Sequence, residues 1–214
     1  MARTRTLAEM RTDIRNRGDY ANSAVFTDPI LTDFINSAIA EAYELIASAS
    51  ESYYVTSATV TTTAGQDYVA LPSTVFKVSR VDLLIGGTYV KQRKFDLHSF
   101  VDDADLTEQY MYRVQGANLY LMPTPTVSTD TLKVWYTPYA TKLAADGDTF
   151  DGVNGFEELV IQLALYRCDQ RDRRPTGERL QEIARLMERV RKNAEGRDSS
   201  EPFYLPDHGG DGWL

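Results

Sequence analysis

Apolar residues recur at helical spacing near both ends of the chain and at strand-like spacing in the middle. The widest helical face follows Asp28-Pro29, a pair that predicts an N-cap with proline at the first helical position. Upstream, Thr6 and Glu9 form a capping box, and Gly18 is predicted to end a first, short helix. The apolar positions of the longer helix are Ile30, Leu31, Phe34, Ile35, Ala38, Ile39, Ala42, Tyr43 and Ile46.

A second helical region occupies residues 154–193 and is interrupted once, at Arg174-Pro175. Because proline lacks an N–H and disfavours a helical residue before it, the chain must bend or stop there, and Thr176 can cap a new helix. The apolar positions are Phe156, Leu159, Val160, Leu163, Ala164 and Tyr166 in the first helix, and Leu180, Ile183, Ala184, Met187 and Val190 in the second. Neither helix can bury its stripe alone, so we expect both to pack against the long N-terminal helix.

The apolar pattern takes the period of strands between residues 51 and 151. Turn signals at 64–66, Gly86-Gly87 and 115–117 separate runs that are rich in Val, Thr and Tyr. This spacing indicates a compact antiparallel sheet or a small β-sandwich. We predict strands at 54–63, 68–71, 76–85, 89–95, 110–114, 118–122 and 132–137, with a short helix or loop at 97–103. For 76–85, a short helix leading into a strand is the alternative.

The order of helices, strands and helices predicts an α+β fold with a C-terminal arm. Residues 1–50 and 152–197 form a helical bundle, residues 51–151 form an inserted antiparallel β domain, and residues 198–214 form the extended arm. The arm carries apolar side chains that a plain disordered tail normally lacks, so we predict that it docks on another protein or a neighbouring subunit. Its folding back onto its own domain is an equal alternative. The predicted binding residues are Phe203, Tyr204, Leu205, Pro206, Trp213 and Leu214.

The formal net charge of −8 is distributed unevenly. Residues 1–17 carry net +3, residues 18–166 net −11, residues 167–197 net +4 and residues 198–214 net −4. Intrahelical pairs such as Asp169–Arg173 and Glu188–Lys192 would make the charged helix faces simply solvated surfaces. The alternative is an acidic region that faces either a basic partner or a surface to which it must not adhere. The sequence alone favours the first interpretation.

Signals for membranes and for secretion are absent from the sequence pattern. No apolar run approaches the roughly 20 residues that cross a bilayer, and the first residues lack the apolar core of a signal peptide. The single cysteine, Cys168, fits a reducing compartment and lies at an apolar helix position. We expect its thiol to be buried and inert.

Candidate reactive side chains match no catalytic, metal or nucleotide motif. His98 and His208 have no further ligands at a zinc spacing. The acidic segment 146–152 partly resembles a calcium loop, but Phe150 occupies a ligand position and Asp151 replaces the required glycine. A cluster of acids on the predicted loop has no partner that would form a carboxylate pair: Asp102, Asp103 and Asp105. We therefore expect no catalytic residue, no metal site, no cofactor and no enzymatic activity.

Four segments together resemble a known family. They are FINSAIAEAY at 34–43, the strand-turn-strand TTTAGQDYVALP at 61–72, the hairpin YRVQGANLYLMP at 112–123, and the strand LKVWY at 132–136, which precedes the acidic loop and the paired helices. In this arrangement the chain resembles the head-to-tail adaptor, or connector, proteins of tailed bacteriophages. The resemblance covers about residues 28–193 and consists of turns and core positions.

The resemblance implies a structural protein of the virion neck that is assembled in the host cytoplasm. Such adaptors form a ring, usually dodecameric, between the portal protein and the tail, nozzle or tail-terminator proteins. Duplex DNA passes through the ring without specific binding, and no membrane is involved. By the same resemblance the β region faces the tail, and the C-terminal arm reaches the portal or a neighbouring subunit.

A different class of function is open as an alternative. The Tyr- and Thr-rich β region could recognise a carbohydrate or a host surface, because aromatic side chains provide platforms for sugar rings. The tyrosines stand mostly at strand-core spacing, however, which favours a role in packing.

Overall fold

Four helices and eight strands make up the part of the chain that the computed structural model describes, residues 4–21, 23–95, 110–150 and 156–195. The helices are α1 (Leu7–Gly18), α2 (Asp28–Ala49), α3 (Phe156–Arg171) and α4 (Gly177–Glu195). The strands are β1 (Thr56–Thr61), β2 (Tyr68–Ala70), β3 (Val75–Ile85), β4 (Thr88–Lys91), β5 (Arg93–Lys94), β6 (Met111–Gln115), β7 (Asn118–Met122) and β8 (Thr131–Pro138). This is the predicted α+β fold. The segment 97–103 and the C-terminal arm lie outside the described residues.

Helix α1 begins at the predicted capping box. The Thr6 hydroxyl accepts the Glu9 N–H, and the Glu9 carboxylate accepts the Thr6 N–H at 2.9 Å. The helix ends at Gly18, as predicted, but Asp19 rather than the glycine takes the left-handed conformation, with φ of 58°. Gly18 instead permits a close approach: an added Cβ would lie 2.2 Å from the Tyr20 ring.

Helix α2 begins one residue earlier than the sequence predicted. Thr27 is its N-cap residue, so Asp28 is the first helical residue and Pro29 follows it. The Asp28 carboxylate does not cap the helix but forms an ion pair with Arg15 at 2.7 Å, which ties α1 to α2. An acid in the first helical turn also complements the helix dipole. The Asp28-Pro29 pair therefore marks the start of the helix, but one residue away from the predicted N-cap position.

The break at residues 172–176 is confirmed, and α3 and α4 pack against each other and against α2. The predicted inner face of α4 is wrong in part. Its buried residues are Ile183, Leu186, Val190 and Ala194, whereas Leu180 and Ala184 are exposed and Met187 is half-buried. Leu186 and Ala194 lie at helical spacing on the neighbouring face of α4, and that face is the buried one. The stripe through Leu180 and Ala184 is therefore left at the surface.

The four helices share one hydrophobic core, and Leu143 and Phe150, from the segment between β8 and α3, also contribute to it. This core confirms the prediction that helices from the two ends of the chain pack against each other. Its largest fully buried side chains are Leu7, Met10, Ile14, Leu31, Ile35, Ile39, Ile46, Leu159 and Ile161.

The strands form two four-stranded sheets that enclose a second core. The strand orders are β1-β8-β3-β4 and β2-β7-β6-β5, and all pairs are antiparallel except β5 with β6. The hairpin β6–β7 and the Gly86-Gly87 turn are confirmed, the latter with φ of 56° and 86°. The core residues come from both sheets: Val78, Val81, Leu83, Leu132, Val134 and Tyr136 from the first, and Tyr112, Leu119 and Leu121 from the second, with Tyr110 beside them.

Tyrosines join the helical core to the first sheet. The Tyr43 hydroxyl donates a hydrogen bond to the Pro138 carbonyl at the end of β8, at 2.7 Å. The same ring stacks on Tyr54, with centroids 4.1 Å apart, and Tyr53 meets Tyr54 edge-on. These contacts fix where the strands leave the helices, because each aromatic pair restricts the orientation of its neighbours.

Candidate interaction surfaces

The titratable side chains of the described residues were candidates for metal binding or for nucleophilic chemistry. Within them, no group of three or more His, Cys, Asp or Glu side chains could hold a metal ion. Cys168 is fully buried, as expected, and burial raises the pKa of its thiol to about 12, with a smaller effect from Asp169. A thiol in this state does not supply a thiolate nucleophile near neutral pH. His98, His208, Asp102, Asp103 and Asp105 lie outside the described residues.

The acidic loop before α3 is stabilised by hydrogen bonds within its own turn and is bonded to the start of α1. The Asp148 carboxylate accepts the N–H groups of Ala144 and Ala145, both at 2.8 Å, and these bonds lower its pKa. Asp146 forms an ion pair with Arg11, and the Asp148 carbonyl accepts the Leu7 N–H at 2.8 Å. Asp146 and Asp148 of the segment that resembles a calcium loop are therefore engaged in a structural turn, and Asp151 lies outside the described residues.

The outer face of the first sheet is basic and aromatic. The Lys133 ammonium lies 4.3 Å from the centroid of Trp135 and 5.2 Å from that of Tyr89, and the Arg80 guanidinium lies 5.8 Å from Trp135. The strand regions 56–95 and 110–138 carry seven basic residues against three acidic ones. The acidic balance of residues 18–166 therefore does not extend to the described sheet surfaces.

Asp82 lies beneath this basic face and anchors it. Its side chain is 1 % exposed, and it accepts hydrogen bonds from Arg80 at 2.6 and 2.7 Å and from the Trp135 indole N–H at 2.7 Å. Burial by itself raises the pKa of Asp82, but the hydrogen bonds from Arg80 and Trp135 and the nearby Lys133 outweigh it. The net result is a pKa below the ordinary value, because the charged form is the one that is satisfied.

This pKa shift predicts an acid-sensitive β region. A depressed carboxyl pKa adds stability above the unfolded-state value of about 3.9, and that stability is lost as pH falls through the folded-state value. We therefore expect the urea concentration at the unfolding midpoint to decrease as the pH is lowered below this unfolded-state value. The emission of Trp135, in a Trp213→Phe background, reports the unfolding. The same measurement on Asp82→Asn should show a smaller pH dependence. An identical pH dependence in both proteins would contradict the assignment.

The exposed side of α2 is acidic. Residues 28–51 contain five acids and no base: Asp28, Asp33, Glu41, Glu44 and Glu51. Asp33 and Glu44 are exposed on the helix, and Ala40 and Ser37 stand beside them. Three of the five acids lie in ion pairs, with Arg15, Arg167 and Lys77, so the excess negative charge of this helix face rests on Asp33 and Glu44. It is opposite in sign to the outer face of the first sheet.

Asp169 connects three elements inside the helical part. It is 4 % exposed and accepts hydrogen bonds from the Tyr20 hydroxyl at 2.8 Å and from the Arg179 Nε at 2.5 Å. The predicted pair Asp169–Arg173 is wrong, because α3 ends at Arg171 and Arg173 has a φ of 56°. The exposed pair Glu188–Lys192 is confirmed at 3.3 Å.

An apolar groove runs between α3 and α4. It has a volume of about 390 Å³ and is lined by both helices together with Glu41 of α2. The apolar lining residues are Leu163, Tyr166, Leu180, Ile183, Ala184 and Met187. Sequence reasoning assigned Leu180, Ala184 and Met187 to the core, and so missed that they form a surface.

The residues predicted to bind a partner lie outside the described part of the chain. Phe203, Tyr204, Leu205, Pro206, Trp213 and Leu214 all belong to this undescribed C-terminal segment. Their assignment therefore stays a prediction. Neither the basic face of the first sheet nor the α3–α4 groove has a sequence motif of its own. The alternation of apolar and polar residues in β3 and β8 was the one sequence signal for the basic face.

The described part of the chain combines an α+β fold with basic, acidic and apolar surfaces. None of the four described helices combines the length and apolarity that crossing a membrane requires. The family model described as SU10 adaptor protein matches residues 5–205, and the chain belongs to this family. It is a bacteriophage adaptor protein and a component of the virion, as the resemblance implied. A search of the curated proteins found no match.

Proposed function

We propose that the chain is a structural, non-enzymatic adaptor that forms a ring between the portal and the tail, with duplex DNA passing through. The observation that carries the proposal is the family match over residues 5–205, which includes all four helices and both sheets. A protein of this kind needs contact surfaces on several sides. The basic face, the acidic face of α2 and the apolar groove are such surfaces, and they differ in chemistry.

The helical part and the β part of the chain are assigned different roles, because each has its own hydrophobic core. We propose that residues 1–50 and 152–197 act as the helical body of each subunit and that residues 51–151 act as the tail-facing β domain. The separate hydrophobic cores of helices and sheets support this division, although Leu143 and Phe150 of residues 51–151 pack into the helical core. The arm, residues 198–214, would attach the subunit to the portal or to its neighbour through its aromatic side chains.

Passage of DNA is supported by charge. A channel lined with Lys and Arg would bind phosphates in a salt-sensitive manner, and an acidic lining repels them. The exposed acids of α2 suit such a lining, whereas the basic face of the first sheet does not. We therefore place α2 nearer to the DNA than the first sheet, and expect isolated subunits not to shift duplex DNA in a low-salt gel.

Assembly with the portal protein tests the proposal. The full-length chain is mixed with portal protein of the same phage and examined by mass photometry and electron microscopy. We expect one ring of adaptor subunits on each portal ring, even if the adaptor alone is monomeric. Subunits that remain unbound in the presence of the portal would contradict the proposal.

The carbohydrate-binding alternative receives little support from the tyrosines. Tyr110, Tyr112 and Tyr136 are buried in the core between the sheets, whereas Tyr68, Tyr89 and Tyr139 are exposed. Binding of the chain to host cells or glycans, in the absence of portal binding, would revive that alternative.

A further inference from the structure

The groove between α3 and α4 is apolar and open, and the helical core does not explain it. Leu180 is 45 % exposed, Ala184 is exposed, and Met187 is half-buried. They lie three and four residues apart, so they form a continuous stripe along α4. Tyr166 and Leu163 of α3 complete the floor. A contiguous apolar patch on a soluble protein generally marks a surface that something covers.

The rim of the groove is polar and ordered. On one side Arg167 forms an ion pair with Glu41 of α2 at 2.9 Å. On another, the Gln170 side-chain amide donates a hydrogen bond to the Tyr166 hydroxyl at 2.7 Å. An apolar centre with a polar rim is the usual anatomy of a protein interface. The groove is therefore shaped for an apolar segment of protein rather than for an ion.

The C-terminal segment follows α4, the helix that supplies one side of this groove. Helix α4 ends at Glu195, and Phe203 follows eight residues later. With a helical rise of 1.5 Å per residue, Met187 lies about 12 Å and Leu180 about 22 Å back along α4 from Glu195. Eight extended residues span up to about 26 Å. Phe203 can thus reach the whole stripe of its own α4.

Charge and composition favour the same occupant. Residues 198–214 carry four acids and no Lys or Arg. From residue 185 to its end, α4 carries four bases, Arg185, Arg189, Arg191 and Lys192, against Glu188 and Glu195. Three of these bases form ion pairs within the helix, which leaves a net positive charge. A segment that returned along α4 would therefore meet charges of opposite sign while its apolar residues covered the groove. The family match also continues past α4 and ends at residue 205, directly after Phe203 and Tyr204.

We propose that the α3–α4 groove is the docking site for Phe203, Tyr204 and Leu205 of the same chain in the free subunit. Because the two are covalently linked, the effective concentration of the segment at the groove is on the order of millimolar. If the arm also binds the portal, which rests on the proposed function, the portal must displace it from the groove. The arm would then be shielded until assembly.

Disulfide trapping in the full-length chain tests this docking. The variant Leu180→Cys/Tyr204→Cys is compared with Ile85→Cys/Tyr204→Cys, because Ile85 is exposed to nearly the same extent, 43 % against 45 %, but lies on the β3–β4 hairpin. Cys168 is buried and does not compete. Under mild oxidation we expect an intramolecular disulfide at 180–204, formed at least about tenfold faster than at 85–204.

A third variant keeps the test independent of the cysteine positions. Adding Ala184→Asp to the Leu180→Cys/Tyr204→Cys pair places a charge in the groove and should slow trapping to the control rate, with an unchanged circular dichroism spectrum. Equal rates for the two cysteine pairs would overturn the proposal. Disulfide-linked dimers in place of cross-linked monomers would assign the groove to a second copy and overturn it as well. Neither outcome bears on ring assembly, which is tested separately.

Discussion

Replacing Asp169 with alanine is expected to lower the free energy of unfolding by about 3–5 kcal/mol, the usual cost of removing one partner from a buried ion pair. The Asp169 side chain is 6 % exposed, and that of Arg179 is 23 % exposed. Without the carboxylate, the buried Tyr20 hydroxyl and the Arg179 Nε lose this acceptor, and Arg179 keeps its hydrogen bond to the Gln162 side chain. Urea unfolding of the full chain, followed by far-ultraviolet circular dichroism, measures the change.

Three variants separate the contributions. Tyr20→Phe removes one hydrogen bond and should cost about 1 kcal/mol. Asp169→Asn keeps an acceptor but removes the charge, so its effect should lie between those of Tyr20→Phe and Asp169→Ala. Arg173→Ala removes the partner that helical spacing suggested, and should change stability by no more than about 0.5 kcal/mol. A loss of less than about 1 kcal/mol for Asp169→Ala would show that the buried network is not an energetic link.

The contrast between Arg173 and Arg179 shows where sequence reasoning stops. A spacing of four residues predicts a helical ion pair only while the helix lasts, and α3 ends at Arg171. The real partners come from α4 and from Tyr20, which is 149 residues away in the sequence. No local pattern contains that contact, because it depends on how α1, α3 and α4 pack together.

Helix positions were predictable, but the register of α4 was not. Its charged residues leave two apolar stripes on neighbouring faces, one through Leu180 and Met187 and one through Leu186 and Ala194. Periodicity alone weighs these stripes almost equally, and the packing of α2 and α3 decides between them. The stripe that was wrongly assigned to the core became the groove, so this error located a candidate interaction surface.

The β region shows the same limit at the level of pairing. Turn residues predicted the local hairpins β3–β4 and β6–β7, because Gly86-Gly87 and Gly116 adopt positive φ. They carried no information on β8, which lies between β1 and β3 in the first sheet. They also could not show that the run 89–95 divides at the buried Gln92 and enters both sheets. Long-range pairing depends on tertiary packing rather than on local propensity.

Deleting residues 199–214 is expected to leave the helices folded and to reduce attachment to the portal by about 1,000-fold. The expectation follows if two of Phe203, Tyr204 and Trp213 are anchoring residues, since each such residue contributes about 2 kcal/mol or more. Co-sedimentation of adaptor with portal particles measures attachment, and circular dichroism checks the fold. All residues from 4 to 195 that carry the described helices and sheets are retained.

Two matched proteins make this deletion informative. A chain in which a glycine-serine segment of equal length replaces residues 199–214 should also fail to attach, because it restores length but not the aromatic side chains. Full-length Leu180→Asp disrupts the groove but keeps the arm, so it should attach to the portal as well as the unmodified chain or better. If the deletion attaches like the full-length protein, the portal contact lies elsewhere, and the exposed face of α2 and the outer face of the first sheet become the surfaces to mutate next.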